Sequence, residues 1–337
     1  MSTPFKLLII GCGKIAASHL EAVLSSPRAE VAALVDPVPA RAQALCERFG
    51  LQVRIATDVG EVLAGAGGAI IATPNHTHAP IAEQCLAAGV SVLIEKPLAM
   101  TTREGERICE AARRTGGTVA VGYVTRFRET VRLMARLIAE NHFGTIQRFA
   151  YQFGTRGGWA PVSAYNLDRR TSGGGVLITT GTHFLDRMLY WFGYPDEAGL
   201  IDDGVDGPEA NAQAHFAYRS GFSGIARFSK TVSMPAGFAM ETEMGMVVLK
   251  DRADATILVR PAEKPDLEVS IMRRGRTSSN NEFVQQLEDF ICAAREGGRP
   301  TVTGEQGLES LRLLEELYSH RSDRTSAGDA QSLVMPS

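Results

Sequence analysis

KLLIIGCGKIA, residues 6–16, is an apolar run that halts at two glycines and resumes as the head of a helical pattern reaching about Ser25. The order is strand, glycine turn, helix. In Gly11-x-Gly13-x-x-Ala16 the first glycine permits a tight turn, the second lets backbone approach a pyrophosphate, and the small third residue allows the helix to pack closely. A helix starting there offers its N-terminal N–H groups and positive dipole end to an anion. Glycine turns alone are common. This one is followed by a strand-like segment, 30–35, that ends in Asp36. That is about 20 residues beyond the turn, where an acid accepts from both ribose hydroxyls. Such a carboxylate repels a 2′-phosphate, so NAD is favoured over NADP; Arg41 softens the discrimination.

The alternation continues. Segments 53–56, 69–72, 90–95 and 118–123 read as strands, and 58–64, 79–88 and 102–114 as helices. Alternating strands and helices predict an α/β Rossmann domain, a doubly wound parallel sheet covered on both faces. Ligands bind beyond the C-terminal ends of such strands. Two clusters fall there: Thr73-Pro74-Asn75-His76-Thr77-His78, and Glu95-Lys96-Pro97. An adjacent acid and base stopped by proline is usually a solvated strand end, but here Lys96 falls on the ligand side. The pair His76-x-His78 has no nearby third ligand, so no metal is expected.

After Tyr123 the pattern changes. A long amphipathic helix is predicted over 129–141 and closed by Gly144. Strand-like segments follow at 146–153, 210–218, 221–231, 238–243, 246–250, 253–259 and 267–272, with helices at 175–192, 281–295 and 304–320. Runs of strands with segregated helices predict a C-terminal α+β domain with an open, mainly antiparallel β-sheet. The predicted organisation is a dinucleotide-binding domain over 1–123, an α+β substrate-binding and oligomerisation domain over 124–320, and a polar, frayed tail over 321–337. The triple glycine Gly173-Gly174-Gly175 lets backbone pass close to something just before a helix carrying His183 and Asp186 one turn apart.

A chain of 337 residues, 44% hydrophobic, suffices for about two domains with their own cores. The net charge of −3 gives no general attraction for nucleic acid or an anionic membrane, and Arg128, Arg132 and Arg136 read as a solvated helix face. Five cysteines without CxxC spacing read as reduced thiols. With no leader-like segment before the KLLII strand and no apolar run of spanning length, the expected location is the cytoplasm.

Taken in order, GxGxxA, Asp36, TPNHTH, EKP and GGGxxxxxGxHxxD resemble the Gfo/Idh/MocA family of NAD(P)-dependent oxidoreductases over nearly the whole length. The resemblance implies a Rossmann domain followed by an open-faced sheet domain, a nicotinamide held between them, and small-molecule sugar or cyclitol substrates. It also implies a homo-oligomer, dimer or tetramer, packed through the sheet. By position, Lys96 corresponds to the family's catalytic lysine, with Pro97 after a cis peptide bond, and His183 to the histidine that meets the reacting hydroxyl or carbonyl. Gly11, Gly13, Lys14, Ile15, Ala16, Asp36, Thr73, Pro74, Asn75, His78, Glu95 and Lys96 fall at cofactor positions. The chain departs at Thr179, where the family pattern carries aspartate; a hydroxyl supplies contact but no charge.

The expected activity is hydride transfer between nicotinamide and a secondary alcohol or ketone of a sugar, sugar derivative or cyclitol, with Lys96 as acid/base and Thr179 and His183 assisting. Expected substrate contacts are Lys96, Tyr123, Arg126, Tyr165, Thr179 and His183, with Arg156, Trp159 and Asn166 nearby in sequence. Two alternatives stand beside it: dihydrodiol or other non-sugar carbonyl chemistry, and a dinucleotide-binding regulator without turnover, as in a galactose-responsive corepressor of the same family.

Overall fold

The computed structural model describes residues 3–157, 164–205, 207–250, 256–271 and 281–323, and the chain divides into two compact units. The first comprises Met1–Phe127 with Ser278–Leu311, the second Arg128–Thr277 with Arg312–Ser337. Trp159, the first residues of the predicted 253–259 strand and most of the tail lie outside the described residues.

The first unit opens with β1 (Phe5–Ile10), α1 (Lys14–Ser25), β2 (Ala29–Val35), α2 (Pro39–Phe49), β3 (Arg54–Ala56), β4 (Gly68–Ile71), α3 (His78–Ala87), β5 (Ser91–Ile94), α4 (Thr102–Thr115) and β6 (Val119–Val121). The strands form one parallel sheet in the order β3-β2-β1-β4-β5-β6. β4, β5 and β6 are buried along their whole length, which is why they read as unbroken apolar runs rather than alternating ones. The crossover to β4 leaves the ends of β1 and β4 side by side at the point where strand order reverses, the usual place for a ligand crevice.

Two local readings change. The sequence pattern does not announce α2; Pro39 starts it and Gly50, at φ 65°, ends it, and its apolar residues are mostly small, leaving only a narrow buried stripe of Ala42, Leu45 and Cys46. The helix expected over 58–64 is a single 3₁₀ turn, Val59–Glu61, closed by reciprocal capping between Asp58 and Glu61.

The second unit contains α5 (Glu129–Ala139), β7 (Ile146–Gly154), α6 (Arg169–Ser172), α7 (Thr182–Phe192), β8 (Glu197–Asp202), β9 (Asn211–Ala217), β10 (Ser223–Ser229), β11 (Met234–Thr242), β12 (Gly245–Lys250), β13 (Ile257–Pro261) and β14 (Val269–Ile271), and closes with β15 (Arg321–Asp323). Its nine-stranded sheet runs β14-β13-β12-β11-β7-β10-β9-β8-β15 and is mainly antiparallel; β7 with β10 and β8 with β15 are the parallel pairs. β8 was not anticipated, because its EAGLID sequence starts with acid, alanine and glycine. The core is aromatic. Phe149 lies within about 6 Å of Phe192, Phe216 and Phe238, and Tyr151 stacks on Phe184 at 4.1 Å. Gly224, paired with Phe149 across β7 and β10, leaves room for that ring; a Cβ there would lie 2.0 Å from it.

α8 (Glu282–Glu296) and the start of α9 (Gly304–Ser319) belong to the first unit. The sequence reading placed both among the closing helices of the second domain. Packing decides otherwise: Leu287, Phe290 and Ile291 of α8 share the core of Leu7, Ile9 and Leu20, and Phe290 meets Phe5 edge-on at 6.3 Å. An amphipathic stripe specifies that a face is buried, not against what.

Candidate active site

At the end of β1 the chain turns through Gly11 at φ +91°. A Cβ there would lie 2.5 Å from the Ala72 carbonyl, so no side chain fits. Gly13 caps α1 without a side-chain hydrogen bond, and a Cβ built on it meets nothing within 4 Å. The two glycines therefore differ in purpose: the first serves the fold, the second leaves space in front of a helix N-terminus. No acidic residue occupies the first turn of α1, at Lys14, Ile15 and Ala16, so nothing there opposes an anion.

Asp36 is 3% exposed, and its carboxylate accepts from the Cys12 N–H at 2.9 Å and the Val38 N–H at 2.8 Å. One oxygen thus ties the glycine turn to the end of β2. Arg41 stands 3.6 Å from the other. Burial, then the Asp36 charge, push the Cys12 thiol up to about 12, so Cys12 is a packing residue. All five cysteines are reduced thiols, four of them buried. Beyond β4, Thr73, Pro74 and Asn75 enter a short 3₁₀ turn in which the Thr77 hydroxyl reaches Thr73 at 2.7 Å and the Pro74 carbonyl at 2.7 Å. A bare helix N-terminus, an open position at Gly13 and a buried acid at the end of β2 make a set that fits a dinucleotide.

His78 corrects the sequence reading. It is completely buried, with Nδ1 2.9 Å from the Pro97 carbonyl and Nε2 2.9 Å from the Thr73 carbonyl. Burial pushes its imidazole below the usual range, and a neutral ring donates to one of the two carbonyls. His78 is an internal pin between the two ligand-side loops, with no surface for a cofactor or a metal. Tyr123 likewise is 0% exposed and packs rather than contacting substrate; Arg126 is 3% exposed beside it in sequence.

Lys96 follows β5, and the Lys96–Pro97 peptide is cis. The side chain is half-buried. Burial pushes its amine below the ordinary lysine range, and the Glu95 charge offsets this only in part. Glu95 is held on two sides: Oε1 lies 2.8 Å from His19 Nε2, and Oε2 accepts from the Lys96 N–H at 3.3 Å. Burial works to raise the Glu95 carboxyl, but the hydrogen bond and charge of His19, joined by Lys96, outweigh it and hold the carboxyl below its ordinary range.

The second unit carries the other predicted residues. Leu177–Gly181 forms a π-helical turn that runs into α7. Thr179 lies in that turn and His183 in the first turn of α7; both are half-exposed in a segment whose other side chains are mostly buried. Single π turns concentrate at functional sites. The Thr179 hydroxyl donates to the Gly175 carbonyl at 2.9 Å, and a hydroxyl oxygen is an acceptor as well as a donor. Asp186 is fully buried. Tyr165 is half-exposed and Arg156 exposed, whereas Asn166 is buried.

What the triple glycine passes close to is Glu209 and Tyr318. A Cβ on Gly174 would lie 2.1 Å from the Tyr318 hydroxyl, and one on Gly175 would lie 1.9 Å from the Glu209 carbonyl. The Glu209 carboxylate, 1% exposed, accepts from the Gly175 N–H at 2.9 Å, the Leu177 N–H at 3.0 Å and the Tyr318 hydroxyl at 2.9 Å. Glu209 thereby caps the N-terminus of the segment that presents Thr179 and His183. Neither Glu209 nor His19 was anticipated, since each acts on a residue far away in sequence.

Residues 5–123 match the oxidoreductase family with an NAD-binding Rossmann fold, and residues 131–247 the C-terminal domain of Gfo/Idh/MocA proteins. A protein of Amycolatopsis mediterranei, named as a candidate oxidoreductase subunit of UDP-kanosamine synthase, is 32% identical, with 90% of each chain covered. Inositol 2-dehydrogenase of Rhizobium meliloti is 24% identical over 91% of this chain and 94% of its own. The crystal structure of an aldose-aldose oxidoreductase from Caulobacter crescentus, complexed with glycerol, shares the fold with a TM-score of 0.84 at 21% identity over 94% of this chain and 97% of that one. With both halves matched, in the order its motifs foretold, this chain belongs to the Gfo/Idh/MocA family of NAD(P)-dependent oxidoreductases.

Proposed function

We propose that the protein is an NAD-preferring dehydrogenase or ketoreductase acting on a secondary alcohol or ketone of a sugar, sugar derivative or cyclitol, with Lys96 as the acid/base. The observation that carries this reading is the Lys96 amine, half-buried at the ligand end of β5 and held by burial below the ordinary lysine range. Bound NAD supplies the hydride acceptor and NADH the donor. Lys96 takes the hydroxyl proton in oxidation and returns it in reduction, which an amine held below the ordinary lysine range does more readily in both directions. His183 hydrogen-bonds the reacting oxygen, and Thr179 accepts from a neighbouring substrate hydroxyl. Gly13 and the first turn of α1 hold the pyrophosphate, in a turn that Gly11 makes possible, and Asp36 holds the ribose. The inositol dehydrogenase and aldose oxidoreductase among the similar proteins support the substrate class.

The test is a nicotinamide-absorbance screen in both directions against free sugars, sugar phosphates, nucleotide sugars and inositols. Turnover is expected with one of these classes, and kcat/KM for NAD is expected to exceed that for NADP at least about tenfold, the worth of roughly 1.4 kcal/mol of repulsion by Asp36. Turnover confined to non-sugar carbonyls would overturn the substrate class. Thr179 in place of a carboxylate favours a second reading, a sensor that binds dinucleotide without exchange; tight NADH binding with no turnover across the panel would select it.

The resemblance also points to assembly through the sheet. On the side away from the aromatic core, Gln213 takes a hydrogen bond from Arg227 at 2.7 Å and lies 3.0 Å from His215. Light scattering of the purified chain is expected to return a dimer or tetramer. Among the described residues no helix is long and apolar enough to cross a membrane.

A further inference from the structure

The family motifs leave His19 without a role. It sits in the second turn of α1, 2% exposed, and 76 residues separate it from the Glu95 carboxylate that its ring touches at 2.8 Å. A buried histidine on a helix is most often packing. Here its neighbours restrict it from two directions: Phe283 of α8 meets the ring edge-on at 5.2 Å and 88°, and the carboxylate lies ahead of it. Glu95 is confined in turn. Gly122, just after β6, is so close that a Cβ there would lie 3.0 Å from Glu95 Cα and 3.1 Å from Oε2, while the Lys96 N–H holds the same oxygen. The carboxylate is therefore wedged between a histidine, a glycine and the backbone of the lysine beside it.

We propose that His19 is a positioning residue for Lys96: its hydrogen bond holds the Glu95 carboxylate in place, and so governs how readily the neighbouring amine gives up its proton. The proposal rests on the acid/base reading of Lys96. His19 touches neither substrate nor reacting atoms. The titratable groups that face Glu95 are His19 from α1, Lys96 in the same loop and His78 from α3; Phe283 of α8 and Gly122 carry no charge. A carboxylate that loses its histidine donor gains most by closing on the adjacent ammonium. That closure favours the charged amine and makes Lys96 a weaker acid.

The test reads the lysine directly. The full-length protein is labelled with acetic anhydride across a pH series, and the fraction of Lys96 acetylated is followed by peptide mass spectrometry, with NADH affinity measured by fluorescence. In His19→Leu the labelling midpoint is expected to rise by about one unit, equivalent to a tenfold change in proton affinity. NADH affinity is expected to stay within about threefold, because the contacts of His19 are with Glu95 and Phe283. His19→Gln, which keeps an N–H donor, is expected to restore the midpoint. Should His19→Leu fail to fold, His19→Asn, whose shorter amide falls short of Glu95, is read in its place. An unmoved midpoint, or a His19→Gln protein displaced as far as the leucine variant, overturns the proposal. Lys96→Met with normal turnover would instead defeat the acid/base reading, and leaves the labelling result to be judged separately.

Discussion

Replacing Lys96 by methionine is expected to lower kcat by about 10²- to 10⁴-fold, the usual worth of a positioned acid/base, with NADH still bound. Methionine keeps most of the apolar stem and removes only the group that exchanges the proton. The pH profile follows from the direction of the shift. Burial depresses the Lys96 amine, so oxidation, which needs the neutral amine, rises as pH climbs through the depressed pKa, whereas reduction, which needs the ammonium, falls over the same interval. Both limbs are expected to vanish in the methionine variant. Steady-state rates in the two directions between pH 6 and about 10 check this, the upper limit being set by the ordinary lysine range.

Stability is expected to move the other way. With its pKa depressed in the folded state, Lys96 binds fewer protons there than in the unfolded chain at any pH between the depressed value and about 10.4. Stability due to this group therefore rises with pH across that window, and the desolvation cost is fully present below it. Lys96→Met is thus expected to melt above the parent protein at neutral pH and to match it near the top of the window. A residue whose removal stabilises the fold while abolishing turnover is retained for chemistry.

The second large effect is Gly175→Ala. The added Cβ would meet the Glu209 carbonyl at 1.9 Å and its amide nitrogen at 2.5 Å, both backbone atoms that no rotamer change can withdraw. The Val176 N–H also bonds the same carbonyl at 2.8 Å, so relief requires the Glu209 strand entry and the π-helical turn to separate. A loss of about 3 kcal/mol or more is expected, at the upper end for overpacking, read as a lowered denaturation midpoint in urea. Gly13→Ala is the contrasting case: its Cβ enters open space, so the fold is expected to keep its midpoint while NADH affinity falls. Equal destabilisation by the two would show that the glycines do not divide their duties as described.

Much of this was local and therefore legible in the chain. The strand, glycine turn and helix of residues 6–25, the acid at Asp36 and the EKP segment after β5 each occupy a few consecutive positions, and periodicity and turn chemistry act over that range. The same reasoning misjudged α2, whose apolar stripe is narrow, and β8, whose residues have weak strand preference. His78 and Tyr123 were placed correctly along the chain and wrongly in role, because a strand end marks the ligand side without saying which side chains turn inward.

Tertiary structure alone assigned α8 to the first core, set His19 against Glu95 across 76 residues, and explained the triple glycine by Glu209 and Tyr318, whose carboxylate and hydroxyl meet across 109 residues. Each of these contacts joins segments whose own sequences are compatible with many partners. A helix stripe, a lone histidine and a glycine run record that something is close; only the closure of the chain in space decides what it is.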